Sequence, residues 1–350
     1  SDGAILFFDL STPYGAAAPI KVDGIQFSLT EARLFEPFSL TLDMAVLAAQ
    51  RNFHLGMTLG PLPPDLQVRQ PVALLRKVDL EILPIELEPL LRFLPPSPGV
   101  GLSRARIEAK LALETPLESG QLKLGATFAA RGLQLEQAVA PGATSGQRRG
   151  QPLDVKVGAQ LSAALLPGDV KLDKLELALN DMSVTAEADL RSLWTTPAVH
   201  ALKIASHGLL LEKLLAALPA VSLPKDSDIR GPLQIRGAAS GSPAAAQVEV
   251  AVDLTPATIM LPSLAKPAGT ALSLELRGQG QNGGAGAQGM TIERLGLTLG
   301  PLALLLRGQV KSADDLDLKV DTGLVDLDKV FRLLPTVEKS MSKGSRIDGD

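Results

Sequence analysis

The sequence predicts a mostly β protein: an elongated, curled antiparallel sheet forming a repeated β-groove, with three short amphipathic helices. Three observations predict it. Apolar and polar residues alternate along most of the chain. Gly, Pro, Asp and Asn clusters separate the alternating runs. Helical spacing occurs in only three places.

The runs follow one another in order. Phe38, Leu40, Leu42, Met44 and Val46 alternate with Ser39, Thr41, Asp43 and Ala45. Phe53, Leu55, Met57 and Leu59 alternate with His54, Gly56 and Thr58. Ile107, Ala109, Leu111 and Leu113 come next, then Leu122, Leu124, Ala126 and Phe128. Leu153, Val155, Val157, Ala159 and Leu161 follow, then Leu175, Leu177 and Leu179, then Met182, Val184, Ala186 and Ala188. The last third contains Val248, Val250, Val252 and Leu254, then Leu272, Leu274 and Leu276, then Leu295, Leu297 and Leu299. Period-2 alternation puts one face of each strand on an apolar surface and the other in water, which suits antiparallel strands better than a buried parallel sheet. About sixteen to eighteen such segments are present. The stretches 138–150 and 278–289 are rich in small and polar residues and read as mobile connections.

Three segments leave this rhythm. Leu87, Leu90, Leu91 and Leu94 recur at i, i+3, i+4 and i+7, as do Leu211, Leu214, Leu215 and Leu218, and Leu327, Val330, Phe331 and Leu334. They predict helices over about 86–94, 210–218 and 326–334. Each begins with an apolar-acidic pair, where negative charge suits the helix N-terminus. Pro95, Pro219 and Pro335 follow directly and disfavour helical geometry in the residue before them.

These helices read as one element used at a spacing of about 120 residues, the mark of a repeat array. The units are 1–95, 96–219 and 220–335, and 336–350 reads as the start of a truncated fourth. Arg346-Ile347-Asp348-Gly349-Asp350 resembles the opening of a strand, so the chain is expected to be a piece of a longer protein.

Composition narrows the function classes. A net charge of −4 removes the general attraction to phosphate backbones, and one Trp, one Tyr and nine Phe offer little base-stacking surface, so nucleic acid is not expected as a partner. With no cysteine there is no thiolate site or disulfide. His54, His200 and His207 are scattered and read as solvated side chains, not metal ligands or catalysts. The run Asp314-Asp315-Leu316-Asp317 with Asp321 lacks the Gly and Glu of an EF-hand loop and reads as the wet face of a strand. The glycines of 278–283 imitate a dinucleotide fingerprint without its strand-helix context, and a flexible loop is the better reading. No enzyme activity, metal or cofactor is expected.

What remains is the apolar strand face. By periodicity alone it serves equally as the inside of closed β-sandwiches. Two features favour an open groove: Leu, Val and Ala fill the face with few aromatics, and three short helices are too little to cover it. The candidate lining is Phe38, Leu40, Leu42, Met44, Phe53, Leu55, Met57, Leu111, Leu113, Leu122, Leu124, Phe128, Val155, Val157, Leu177, Leu179, Val184, Val248, Val250, Val252, Leu272, Leu274, Leu276, Leu295 and Leu297.

The pattern resembles the AsmA-like family of bacterial envelope proteins. The resemblance rests on Leu295-Gly-Leu-Thr-Leu-Gly-Pro-Leu302 with Leu306-Arg-Gly-Gln-Val310, on Leu327-Asp-Lys-Val-Phe-Arg-Leu-Leu-Pro335, and on the closing Arg-Ile-Asp-Gly-Asp. It covers the chain from about Ile20 to Asp350. It implies a periplasmic body on an inner-membrane anchor that this chain lacks, and a β-groove that holds phospholipid acyl chains. It implies a part in phospholipid transport between inner and outer membranes. About eighteen strands spaced at roughly 4.8 Å give a sheet near 90 Å long at most, which leaves bridging by this chain alone in doubt. The alternative is a structural scaffold or outer-membrane assembly factor acting through protein contacts, with outer-membrane proteins as partners.

Overall fold

A strand with every second side chain apolar can bury only one face, so its backbone groups are satisfied by pairing edge to edge with its neighbours. The computed structural model is built on such pairings. It describes residues 3–7, 20–30, 33, 35–62, 74–91, 100–115, 121–137, 149–164, 168–218, 223–242, 245–282, 288–310, 315–323 and 325–335. The protein is mostly β, its sheet is antiparallel and curled, and no barrel closes. Two compact units divide the chain: Ser1–Leu166 with Lys171–Asn180, and Pro167–Val170 with Asp181–Asp350. The boundary falls inside the second sequence repeat, because strand pairing and not helix spacing decides which residues touch.

In the first unit eight strands pair in chain order: β1 (Gly3–Phe7), β2 (Ile20–Thr30), β3 (Phe38–Val46), β4 (Phe53–Leu59), β5 (Leu75–Glu86), β6 (Val100–Glu114), β7 (Gln121–Gln137) and β8 (Leu153–Ala164). All seven pairings are antiparallel. Lys171–Leu179 of β9 (Asp169–Leu179) also belongs to this unit. The connection between β5 and β6 holds α1 (Glu88–Leu91), a single turn where a longer helix was expected. The remainder of that expected helix, including Leu94 and Pro95, lies outside the described residues.

The second unit repeats the plan. Its main sheet runs β10 (Met182–Arg191), β11 (Ala198–His207), β13 (Gln234–Gly241), β14 (Gln247–Asp253), β17 (Leu272–Asn282), β18 (Gln288–Leu299), β19 (Leu302–Val310) and β20 (Leu316–Thr322), each antiparallel to the next. Between them stand α2 (Leu211–Ala217) and a small sheet of β12 (Asp228–Arg230), β15 (Thr258–Leu261) and β16 (Leu264–Lys266); α3 (Leu327–Arg332) follows β20. Helix α2 stops at Leu218, whose extended backbone (ψ 100°) is what Pro219 demands. At α3, the Asp326 side chain caps the first turn by accepting from the Lys329 N–H at 3.1 Å.

One expectation is corrected here. Residues 278–282 are not a loop: β17 continues through them, and Gly278, Gly280 and Asn282 pair with Ile292, Met290 and Gln288. Their backbone groups find partners on β18, so the absence of large side chains does not prevent pairing. The rest of that stretch, 283–287, lies outside the described residues, as do 138–148.

The entries to α1 and α2 share one type of backbone bond. The Leu87 N–H donates to the Ala105 carbonyl at 2.7 Å, and the Leu211 N–H donates to the Gly231 carbonyl at 3.0 Å. In both places the strand end, the helix start and the returning strand are pinned by the same type of bond. The matching segment beyond α3 lies outside the described residues.

Among the described residues, few side chains are fully buried. Buried apolar side chains in the first unit are few: Val22, Ala45, Ile85, Ala105 and Ala130. Those of the second are Met182, Leu209, Ala217, Ala257, Val330 and Leu333.

Candidate functional site

Residues directly opposite one another across an antiparallel pair project to the same side of the sheet. The register therefore decides which predicted residues share a surface. In the first unit it aligns them in rows running across the strands. One row is Leu40, Met57, Val78, Leu113, Leu124 and Leu161. The next is Leu42, Leu55, Leu80, Leu111, Ala126 and Ala159, extended onto β2 by Phe27. A third is Met44, Phe53, Ile82, Ala109, Phe128 and Val157. Phe38 pairs with Leu59, Leu122 with Ala163 and Val155 with Ala130 on the same face. Leu177 and Leu179 alternate with Glu176 and Ala178 on β9.

The second unit does the same. Val250, Leu276, Leu295, Leu306 and Val320 form one row, continued by Gly237, Ile204 and Ala186. Ile235, Val252, Leu274, Leu297 and Leu304 form a second. Val248 opposes Ala239 and Gly278, Leu272 opposes Leu299, and Val184 opposes Ser206.

None of the predicted lining residues is buried. All are half-buried except Phe128, Leu177, Leu274 and Leu297, which are exposed. Leucines inside a closed sandwich would be covered almost completely; these keep part of their surface in water. Three rows over the six strands from β3 to β8, at about 4.8 Å per strand and 6.8 Å per row, cover about 600 Å². That is at the upper limit of the largest apolar patch on ordinary soluble monomers. Among the described residues of these rows there is no charged side chain.

Sequence reasoning missed part of this surface. All of β5 was overlooked, although Val78, Leu80 and Ile82 alternate with Asp79 and Glu81, because the run ends in Leu83-Pro84-Ile85. Leu304 and Leu306 were hidden inside the unbroken Leu304-Leu305-Leu306, where only the register shows that Leu305 faces the other way. Phe27 and Leu29, 64% and 48% exposed, oppose Leu42 and Leu40 from β2.

The opposite face is polar. Cross-strand ion pairs lace it: Lys110 to Glu81 at 2.5 Å and Arg131 to Glu108 at 2.7 Å in the first unit, Arg277 to Glu249 at 2.8 Å in the second. Hydrogen bonds donated by Lys110 to Glu81 and by Lys77 to Asp79 raise both lysines above the ordinary value. The pairs are exposed and worth little individually. Between them lie hollows floored by Ala and Gly, one of about 460 Å³ beside Glu81, Glu108, Lys110 and Lys156, another of about 370 Å³ beside Arg236, Glu249, Glu275 and Arg277. They are furrows between rows of long side chains and not part of the apolar face.

The histidines separate by environment. His54, expected to be solvated, is half-buried and its Nδ1 lies 2.7 Å from Asp43 Oδ1 on the neighbouring strand. His207 Nε2 is 3.3 Å from Thr185 Oγ1, and His200 is exposed. Asp317 and Asp321 lie on β20 and Asp314 is outside the described residues. No cluster of potential metal ligands occurs among the described residues, and no helix there is long and apolar enough to cross a membrane.

No protein-family model, curated protein or solved structure matches this chain.

Proposed function

We propose that this chain is a non-enzymatic, lipid-binding segment of a β-groove that takes part in phospholipid transport between the inner and outer membranes of a bacterial envelope. Its place in that reading is the periplasm, tethered through an inner-membrane anchor outside this chain and belonging to an array of similar modules. One observation carries the proposal: each unit has a broad apolar face, free of charge among the described residues of its rows, whose large side chains stay partly in water. Acyl chains suit such a surface because they need no hydrogen-bond partner.

The chemistry of a conduit follows from small differences. Removing a methylene from water is worth about 0.8 kcal/mol, whether it enters a bilayer or an apolar protein face. Exchange between the two is therefore nearly balanced, and a chain moving along rows of leucine meets no polar barrier. Binding by this route is broad in specificity.

The test is native mass spectrometry and lipid extraction of the purified chain, with uptake of a fluorescent phospholipid from vesicles. Co-purifying phospholipid and saturable uptake support the reading. A lipid-free protein that takes up none refutes it and leaves the scaffold alternative, which predicts partner capture without lipid.

A further inference from the structure

In the second unit the two long edges of the sheet are built differently. At one edge lie the ends of β11, β14, β18 and β20 and the starts of β10, β13, β17 and β19, as the pairs Ser183–His207, Gln234–Asp253, Leu272–Leu299 and Leu304–Thr322 record. Two of the connections leaving this edge are long, 208–233 and 254–271, and they contain α2 and the small sheet, whereas β18 and β19 are joined there by a tight turn at Gly300. Helix α3 leaves from the same edge after β20. At the other edge the described connection is a short turn, 192–197, and β13 and β14 are joined there by only five residues.

The long connections pack into a cap. The Ala265 N–H donates to the Leu333 carbonyl at 2.8 Å, joining α3 to β16. Leu333 also lies over the turn at Gly300, its Cδ1 2.7 Å from where a Cβ would stand; with φ at +55°, only glycine suits that turn. The Leu210 N–H points at Met182 Sδ, 3.4 Å away, and the Leu233 N–H donates to the Leu209 carbonyl at 2.9 Å. Lys266 is fully buried here, its ammonium donating to the carbonyls of Ala257 at 2.5 Å, Thr255 at 3.1 Å and Pro267 at 3.4 Å. Every buried apolar side chain among the described residues of this unit belongs to the cap or to the strand end beneath it. Met182 shows which face is covered. It has the parity of Val184, Ala186 and Ala188 on the apolar face, and its exposure is 0%.

Near the cap the apolar face carries Leu272, Leu274, Leu297, Leu299, Leu302 and Leu304. Towards the other edge it carries Met290, Ile292, Val310 and Leu318. From Leu304 to Val310 the strand spans six steps, about 20 Å at 3.4 Å per residue, against about 15 Å for half the hydrocarbon core of a bilayer.

Resting on the lipid-groove reading above, we infer that the second unit takes phospholipids in one orientation, with tails directed towards the capped edge and head groups left at the opposite edge beside 192–197 and Ser242. A charged head group cannot be buried without partners, and the cap fills the only other exit with packed side chains.

The chain has no cysteine, so single sites can be labelled without background. Ser242→Cys at the uncapped edge, Ser263→Cys in the β15–β16 turn of the cap and Leu297→Cys on the apolar face would each carry a small fluorophore, with folding checked by circular dichroism. The full chain is loaded from phosphatidylethanolamine/phosphatidylglycerol vesicles containing lipid with a nitroxide on the head group or at the tail end, then freed of vesicles by gel filtration. The expected result is head-group quenching several-fold stronger at position 242 than at 263, with tail quenching at 297. Equal or stronger head-group quenching at 263, with tail quenching at 297 intact, overturns the orientation and leaves the groove standing. No quenching at any position, with no lipid retained, overturns the groove itself.

Discussion

Leu124→Asp and Val250→Asp put one carboxylate in the middle of the apolar face of each unit, and the structure sets what each should do. Both side chains are half-buried and flanked by other apolar rows. Full burial of such a side chain is worth about 1.5–3 kcal/mol, so losing a partly buried one costs about 1–1.5 kcal/mol. The new carboxylate keeps part of its water because both positions are partly exposed. Sites in separate units add, giving about 2–3 kcal/mol for the double variant, against a domain stability of about 5–15 kcal/mol. The protein should therefore stay folded, with its melting temperature lowered by a few degrees. Lipid binding behaves differently. An acyl chain laid over either carboxylate must strip the charge of water or force its protonation, at several kcal/mol, which weakens retention by more than roughly 100-fold per site. Circular dichroism melts alongside uptake of fluorescent phospholipid from vesicles measure both quantities on one preparation. A double variant that fails to fold refutes the reasoning, since only a sealed core punishes a single charge so heavily. A folded double variant that takes up lipid as the parent does refutes it too.

Other consequences concern the framework. Lys266→Met should destabilise the second unit by about 1–3 kcal/mol in denaturant melts, because the carbonyls of Thr255, Ala257 and Pro267 lose their donor. Burial holds Lys266 below the ordinary lysine range although Asp253 opposes it, so the folded chain holds that proton less tightly than the unfolded one. Its contribution to stability should therefore rise with pH between the folded and unfolded values, a slope that Lys266→Met removes. Asn52→Leu should cost about 2–3 kcal/mol in the first unit, since buried Asn52 accepts from the Val46 N–H at 2.7 Å and donates to the Val46 carbonyl at 2.9 Å, tying the β3–β4 hairpin. Asp253 is lowered by its hydrogen bonds with Thr255, and Asp326 by those with Lys329. A carboxylate lowered on folding stabilises fully above its unfolded value near pH 4 and loses that effect as pH falls through the folded value. Melting temperature should thus drop below about pH 4, less steeply in Asp253→Asn; an unchanged slope in that variant counts against the assignment.

Much of this architecture was legible in the order of the residues alone. The period of 2 in Phe38–Val46 or Leu272–Leu276 names both the element and its two faces, because strand side chains alternate whatever the neighbouring strand is. The helix at Leu211–Ala217 was legible for a similar local reason, a stripe at i, i+3, i+4 ended by Pro219. Where local pattern and pairing part company, the sequence misled. The glycine-rich run 278–282 looks like a loop, yet it is a strand, since backbone pairing with β18 needs no side chain. The unbroken Leu304-Leu305-Leu306 conceals its alternation, and β5 lost its pattern to Pro84.

Alternation by itself determined that each strand has one apolar and one polar face, and the lack of charge at the apolar positions was already written in the chain. Whether a second layer covers that face was decided only in three dimensions, because identical alternation serves a sealed sandwich and an open trough. The register across neighbouring strands turned separate leucines into continuous rows. The long connections, whose packing partners lie far away in the chain, gathered the buried apolar core of the second unit at a single edge and left the rest of its apolar face partly in water.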